Sequence, residues 1–151
     1  MIGFYNFLET IQGELSSSPF INTVTYGNIN DADLAKKTIF PLGHFVVNNV
    51  SYQENILVYN ISILLMDIVD VSKEAPTDIF KGNDNEQDVF NTQLGVAVRL
   101  LDELKRGDLY KSKFQLNGNP TIEPFVDRID NKLAGWAITF DVTVINELAC
   151  K

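Results

Sequence analysis

The sequence predicts one α+β domain over residues 1–151, a mostly antiparallel β-sheet packed by a long α-helix and an N-terminal helix. Three stretches carry that prediction. The run NILVYNISILLMDIVD, Asn55 to Asp70, reads as a long strand. Leu57, Tyr59, Ile61, Ile63 and Leu65 fall on one wholly apolar face, with Ile56, Val58, Asn60, Ser62, Leu64 and Met66 on a mixed one, as for a sheet with one face against a core. Asn85 to Arg106 reads as an amphipathic helix. Trp136 to Ile145 alternates again, with Trp136, Ile138, Phe140, Val142 and Val144 on the apolar side.

In chain order, Met1 to Leu15 reads as a helix. Ile2, Phe4, Tyr5, Leu8, Ile11, Gln12 and Leu15 stand at spacings of three and four. Ser16-Ser17-Ser18-Pro19 stops it, because the residue before a proline disfavours helix. Ile21 to Tyr26 is a short strand with Gly27-Asn28 as its turn. In the polar stretch Asn28 to Lys37, Asp31 can cap a single helical turn. Pro41 confines Thr38 to Leu42 to an edge or a strand start. His44 to Val47 is a strand that resumes at Val50, and Asn48-Asn49 makes either a hairpin turn or a bulge.

The strand from Asn55 would span roughly 50 Å at about 3.3 Å per residue, so it is expected to bend or to project beyond its domain. Val71 to Asp84 is a polar loop holding Pro76 and Gly82, and a loop of that length is commonly functional or mobile. In the following helix, Asp84 or Asn85 supplies the N-cap, and Glu86 and Asp88 suit the first turn. Its expected stripe is Phe90, Leu94, Ala97, Val98, Leu101 and Leu104, with Gly107 at the C-cap. Phe114 to Leu116 is a short strand, Asn117-Gly118-Asn119-Pro120 a turn, Thr121 to Asp130 a strand with Pro124 at an edge or bulge, and Lys132 to Gly135 another turn.

The formal net charge is −8. Affinity for nucleic acid rests on Lys and Arg against phosphates, so this chain is not expected to hold DNA. An acidic surface suits an object that DNA slides past, and the simpler reading is solubility alone. No apolar run approaches the roughly 20 residues of a membrane-spanning helix. Nothing at the N-terminus reads as a signal peptide, so the chain is expected to work in a cytosol or in something assembled there. Cys150 is the single cysteine and His44 the single histidine. One of each makes a poor disulfide, triad or metal set, and no metal or cofactor is expected.

The remaining chemistry-bearing residues read plainly. His44 is a polar residue fitting a strand start rather than a pH-sensitive contact between subunits, and Trp136 fills space under the long helix rather than anchoring an interface. Asp67, Asp70, Glu74 and Asp78 lack the EF-hand spacing and read as a solvated strand end. Asp127 and Asp130 with Arg128 show no partner base. An enzyme acting through carboxylates would need a pocket holding two coupled acids.

The N-terminal helix, IFPLGHFVVNNVSY, the strand ending MDIVD, the helix DVFNTQLGVAVRLLDEL and the closing DNKLAGWAITFDVTV together resemble the tail terminator, or tail completion, proteins of tailed bacteriophages. Pro41-Leu42-Gly43-His44 and Gly135-Trp136 are the most telling parts. The resemblance spans nearly the whole chain in element order and implies a structural virion protein, not an enzyme, with no catalytic residues to carry over. It implies a homo-oligomeric ring, hexamer or dodecamer, that caps the tail tube protein and joins it to the head-tail connector or portal-side proteins, with DNA passing through its lumen. A connector, stopper or baseplate component is the alternative. The candidate interface is Asp70, Lys73, Pro76, Ile79 and Phe80 on the loop, with Tyr59 and Met66 on the strand feeding it. The loop is expected to order against a neighbouring subunit or the tube.

Overall fold

The computed structural model describes residues 3–28, 39–69, 85–111, 114–127 and 132–145. The elements are α1 (Phe4–Ser16), β1 (Thr23–Tyr26), β2 (Leu42–Tyr52), β3 (Ile56–Ile68), α2 (Glu86–Arg106), α3 (Asp108–Lys111), β4 (Phe114–Asp127) and β5 (Leu133–Ile145). They form an α+β fold around one five-stranded sheet of order β1-β2-β3-β5-β4. β1 runs parallel to β2, and the other three pairs are antiparallel. The single turn Asp31 was expected to cap, the loop 71–84 and Cys150 lie outside the described residues.

β3 occupies the centre, and its alternation is as the sequence predicts. Tyr59, Ile61, Ile63 and Leu65 are buried on the helix-covered face. It does not project beyond the sheet. Every residue from Ile56 to Ile68 has a β5 partner, and β2 pairs along most of the other side. Of the two expectations, bending or projecting, the pairing excludes projection for the strand Ile56–Ile68, which is shorter than the predicted run from Asn55 to Asp70.

Three turn signals became strand features. β2 runs through Asn48-Asn49, where the register shifts between Val47 and Asn49, so the bulge reading holds. β4 is one strand rather than two. Asn117 pairs with Asp141 and Thr121 with Thr139, so Gly118, Asn119 and Pro120 stand opposite Phe140 alone. Gly118 has φ +78° there, a conformation open to glycine. An edge strand tolerates this bulge and both its prolines, since among the described residues only one side of it carries a ladder. Leu133 to Gly135 open β5 instead of turning the chain. Gly135 is required because a Cβ would overlap the Leu65 carbonyl across the ladder.

Both helices lie on one face of the sheet, each rotated from the predicted stripe. α1 buries Phe7, Ile11 and Leu15, one residue per turn, while Phe4 and Tyr5 are exposed. α2 buries Val89, Gln93, Val96, Ala97, Leu100 and Leu104. Phe90, Leu94 and Leu101 are half-buried and Val98 is exposed. Asn85 stands at the N-cap without a side-chain capping bond, Glu86 and Asp88 complement the dipole, and Lys105 and Arg106 close the last turn. Gly107 ends α2 with φ −100°, not in the left-handed region. It is needed for space, since a Cβ would press on Glu103. The predicted polar connection after it holds the single turn α3.

The main core joins α1, α2 and the inner faces of β2, β3, β4 and β5. A second cluster of Phe40, Leu42, Met66 and Leu133 sits at one end of the opposite face.

Candidate functional site

Two of the seven predicted interface residues are described, and both face inward. Tyr59 is 3% exposed, its ring stacked on Phe7, and burial raises its phenol above the usual tyrosine range. Met66 is 2% exposed within the second cluster. Neither offers surface to a neighbouring chain. Asp70, Lys73, Pro76, Ile79 and Phe80 lie outside the described residues, as do Glu74, Asp78, Arg128 and Asp130.

His44 is buried, and both ring nitrogens are engaged. Nε2 lies 2.7 Å from the Gly27 carbonyl, which can only accept, so Nε2 carries a proton. Nδ1 lies 2.6 Å from the Thr25 hydroxyl. The ring thus fastens the short edge strand β1 to β2, and holds the turn at Gly27, where φ is +103°. Trp136 sits under α2 as the sequence predicts. Its indole N–H donates to the Phe90 carbonyl at 2.8 Å, and its ring meets that of Phe90 edge-on.

The sheet face away from the helices carries a row of polar side chains across three strands. Asn48 Nδ2 donates to Asn60 Oδ1 at 2.8 Å and to Ser62 Oγ at 2.7 Å. Asn60 Nδ2 donates to Asp141 Oδ1 at 2.7 Å, and the Ser62 and Thr139 hydroxyls are 3.2 Å apart. Strict alternation after Val47, which pairs with Ile61 on the core face, already places Asn48 on this face, and the bulge then brings Asn49 opposite Asn60. The row is solvent-accessible, with Asn48 and Thr139 exposed and the others half-buried. No described helix covers it.

Among the described residues, β1 and β4 each pair on one side only. At the β2–β3 hairpin every residue from Asn48 to Asn55 is exposed. Tyr52 is among them, at 75%.

A cleft of about 240 Å³ opens on the helix face, between the first turns of α2, the Pro19-Phe20 connection and Pro41 at the entry to β2. Asp67, Asp88, Thr92 and Gln93 line it. Gln93 is 1% exposed, and neither its amide nitrogen nor its amide oxygen has a hydrogen-bond partner. The sequence hides this position, because a glutamine four residues from both Val89 and Ala97 breaks the apolar row that the fold buries. Nearby, Lys132 and Glu86 form an ion pair at 3.0 Å.

On the far side of the helix layer, Glu14 stands near Glu103, Asp108 and Arg99. Burial, and then the two acidic neighbours, raise its carboxyl above the usual range, with Arg99 opposing.

Among the described residues no group of three or more His, Cys, Asp or Glu could hold a metal ion. No helix among them is long and apolar enough to cross a membrane. The sequence matches no known family model and no curated protein.

Proposed function

We propose that this chain is a structural virion component that assembles as a ring at the head-tail junction of a tailed bacteriophage, terminating the tail tube and joining it to the connector. The observation that carries the reading is the sheet face without helix cover, with its row Asn48, Asn60, Ser62, Thr139 and Asp141. A face built of pre-ordered amides and hydroxyls beside two singly paired edges suits repeated contact with neighbouring subunits. Hydrogen-bond partners are already fixed there, so little side-chain ordering remains to be done on association, and an edge strand can extend a sheet into the next chain. A heterologous contact of this kind closes into a ring when its rotation permits. The net charge of −8 supports a lumen through which DNA moves without adhering. The element order described above resembles that of tail terminators.

The test is native mass spectrometry of the protein alone and with purified tail tubes. A hexamer or dodecamer, in solution or formed on the tube end, is the expected result. A monomer that leaves tubes unbound would overturn the reading. Thr139→Arg, on the exposed row and away from the core, should abolish the ring while leaving the thermal transition in place.

A further inference from the structure

We infer that the groove between α1 and β1 receives the side chain of Tyr52 from a second copy of this chain, a contact that joins neighbouring subunits head to tail. The inference rests on the ring reading for its occupant and names a contact that reading needs. α1 carries two rows on its apolar side. Phe7, Ile11 and Leu15 are buried in the core. Phe4, Leu8 and Gln12, at the four-residue spacing that shares a helix face, form the other, and the fold leaves it open, with Phe4 exposed and Leu8 half-buried. Leu8 and Gln12 face Val24, Thr25 and Tyr26 of β1 and Phe45 of β2 around a groove of about 170 Å³. The rings of Tyr26 and Phe45 meet edge-on there, with centroids 5.2 Å apart, so the wall offers aromatic surface to a guest ring. Gln12, exposed at the rim, offers an amide to a guest hydroxyl. The groove is smaller than the roughly 300–1,000 Å³ of sites that enclose drug-sized ligands. It suits one flat side chain with a polar tip.

The chain carries such a side chain at a distance that its own groove cannot use. A ring needs two different patches on each subunit, one complementary to the other. Tyr52 is 75% exposed, on a hairpin tip exposed from Asn48 to Asn55. It ends the strand in which Phe45 lines the groove, roughly 20 Å further on at about 3.3 Å per residue. β2 pairs with β3 along that length, so the strand cannot fold back, and Tyr52 can enter only another copy's groove. Tyr5, 82% exposed, stands in α1 three residues before Leu8, on the rim itself, and two copies meeting through it would stop at a two-fold dimer. One tyrosine buries about 150–250 Å², well short of the roughly 800 Å² per partner of a standard interface. An area of that size suits an anchor in a closed ring, where each subunit is held on two sides, better than it suits an isolated dimer.

The experiment uses two full-length variants at exposed positions. Tyr52→Ser removes the guest and keeps the groove, and Gln12→Trp fills the groove and keeps the guest. In native mass spectrometry, alone and with tail tubes, each variant should lose the ring that the parent forms, with its thermal transition in place. The ¹⁵N-labelled Tyr52→Ser chain, titrated with unlabelled Gln12→Trp chain and followed by NMR, should show saturable shifts of the Val24 and Tyr26 amides and of the Gln12 side-chain NH₂. Titrated with unlabelled Tyr52→Ser chain it should show none. Rings that survive both substitutions yet are lost in Thr139→Arg would overturn the inference and leave the ring reading standing. Open chains in the parent, broken by both variants, would support the contact and overturn the ring reading. A two-fold dimer kept by Tyr52→Ser, or resonances of the labelled groove that stay unmoved at the highest concentration of Gln12→Trp chain, would each overturn the inference.

Discussion

The ring of Phe7 on α1 lies flat on that of Tyr59 on β3, with centroids 4.1 Å apart and 8° between the planes. Phe114 of β4 closes over the same phenylalanine at 6.2 Å. One side chain thus couples the N-terminal helix to the central strand and to the far edge strand. Phe7→Ala should cost about 3–5 kcal/mol, the usual range for a buried phenylalanine. Tyr5→Ala, at a position 82% exposed on the same helix, should stay within about 0.5 kcal/mol. Urea unfolding of both variants checks the contrast, and equal effects would mean that α1 is docked by another face.

Two glycine-to-alanine changes should move stability in opposite directions. Gly13 lies inside α1 with nothing within 4 Å of a built Cβ. Alanine there should add roughly 0.5–1 kcal/mol through helix propensity. Gly135→Ala would drive a methyl group into the Leu65 backbone between the two central strands. It should destabilise by more than about 3 kcal/mol, in the range of severe overpacking. Thermal denaturation of the pair reads both signs at once.

Gln93→Leu should raise stability. A buried carboxamide with neither end bonded forfeits about 1–3 kcal/mol of desolvation, and leucine keeps similar bulk without polar atoms. The expected result is a raised chemical-denaturation midpoint. An unchanged or lowered midpoint would show that the amide finds partners in solution.

Glu14 has a sign that can be worked out. Its folded-state carboxyl is raised above the ordinary value of 4.5, first by burial and then by Glu103 and Asp108. The native state therefore holds its proton more tightly than the unfolded chain does. Stability from this group is fully present below pH 4.5 and is lost as pH rises through the raised value. Glu14→Gln should accordingly stabilise the protein at neutral pH, with the advantage over the parent shrinking as pH falls toward 4. Melting temperatures across that interval test the trend.

β3 and the later half of β5 were legible in the sequence because strict alternation leaves one solution for which face is buried. The helices were less so. In α2 the rows Val89-Gln93-Val96-Leu100 and Phe90-Leu94-Ala97-Leu101 lie side by side, and the second is the more apolar in composition. The fold buries the first because Trp136 takes up Phe90 at its edge and its carbonyl as an acceptor, which rotates the helix. In α1 Phe7 was passed over for Phe4 and Tyr5 because three aromatics in four positions leave the face ambiguous. The Asn117 to Pro120 segment reads as a turn by composition, yet at a sheet edge the same residues serve as a bulge. Of the candidate surfaces, alternation already places Asn60 and Ser62 of the polar row on the non-core face, and what it leaves out is which neighbours they meet across the sheet, whereas the cleft depended on a misplaced helix face and was not visible as a pattern.

The order in which the strands pair also governs how the chain can fold. β2 and β3 form a local hairpin, and so do β4 and β5. The seam between these two halves joins partners as distant as Ile56 and Ile145, with α2 intervening. Such non-local pairing slows folding, since loop-closure entropy must be overcome before the contact forms. During synthesis β3 therefore waits with one edge bare until β5 emerges from the ribosome, and Ile61, Ile63 and Leu65 remain uncovered on that side for the same interval. Nascent chains arrested before β5 should be the species most prone to aggregate.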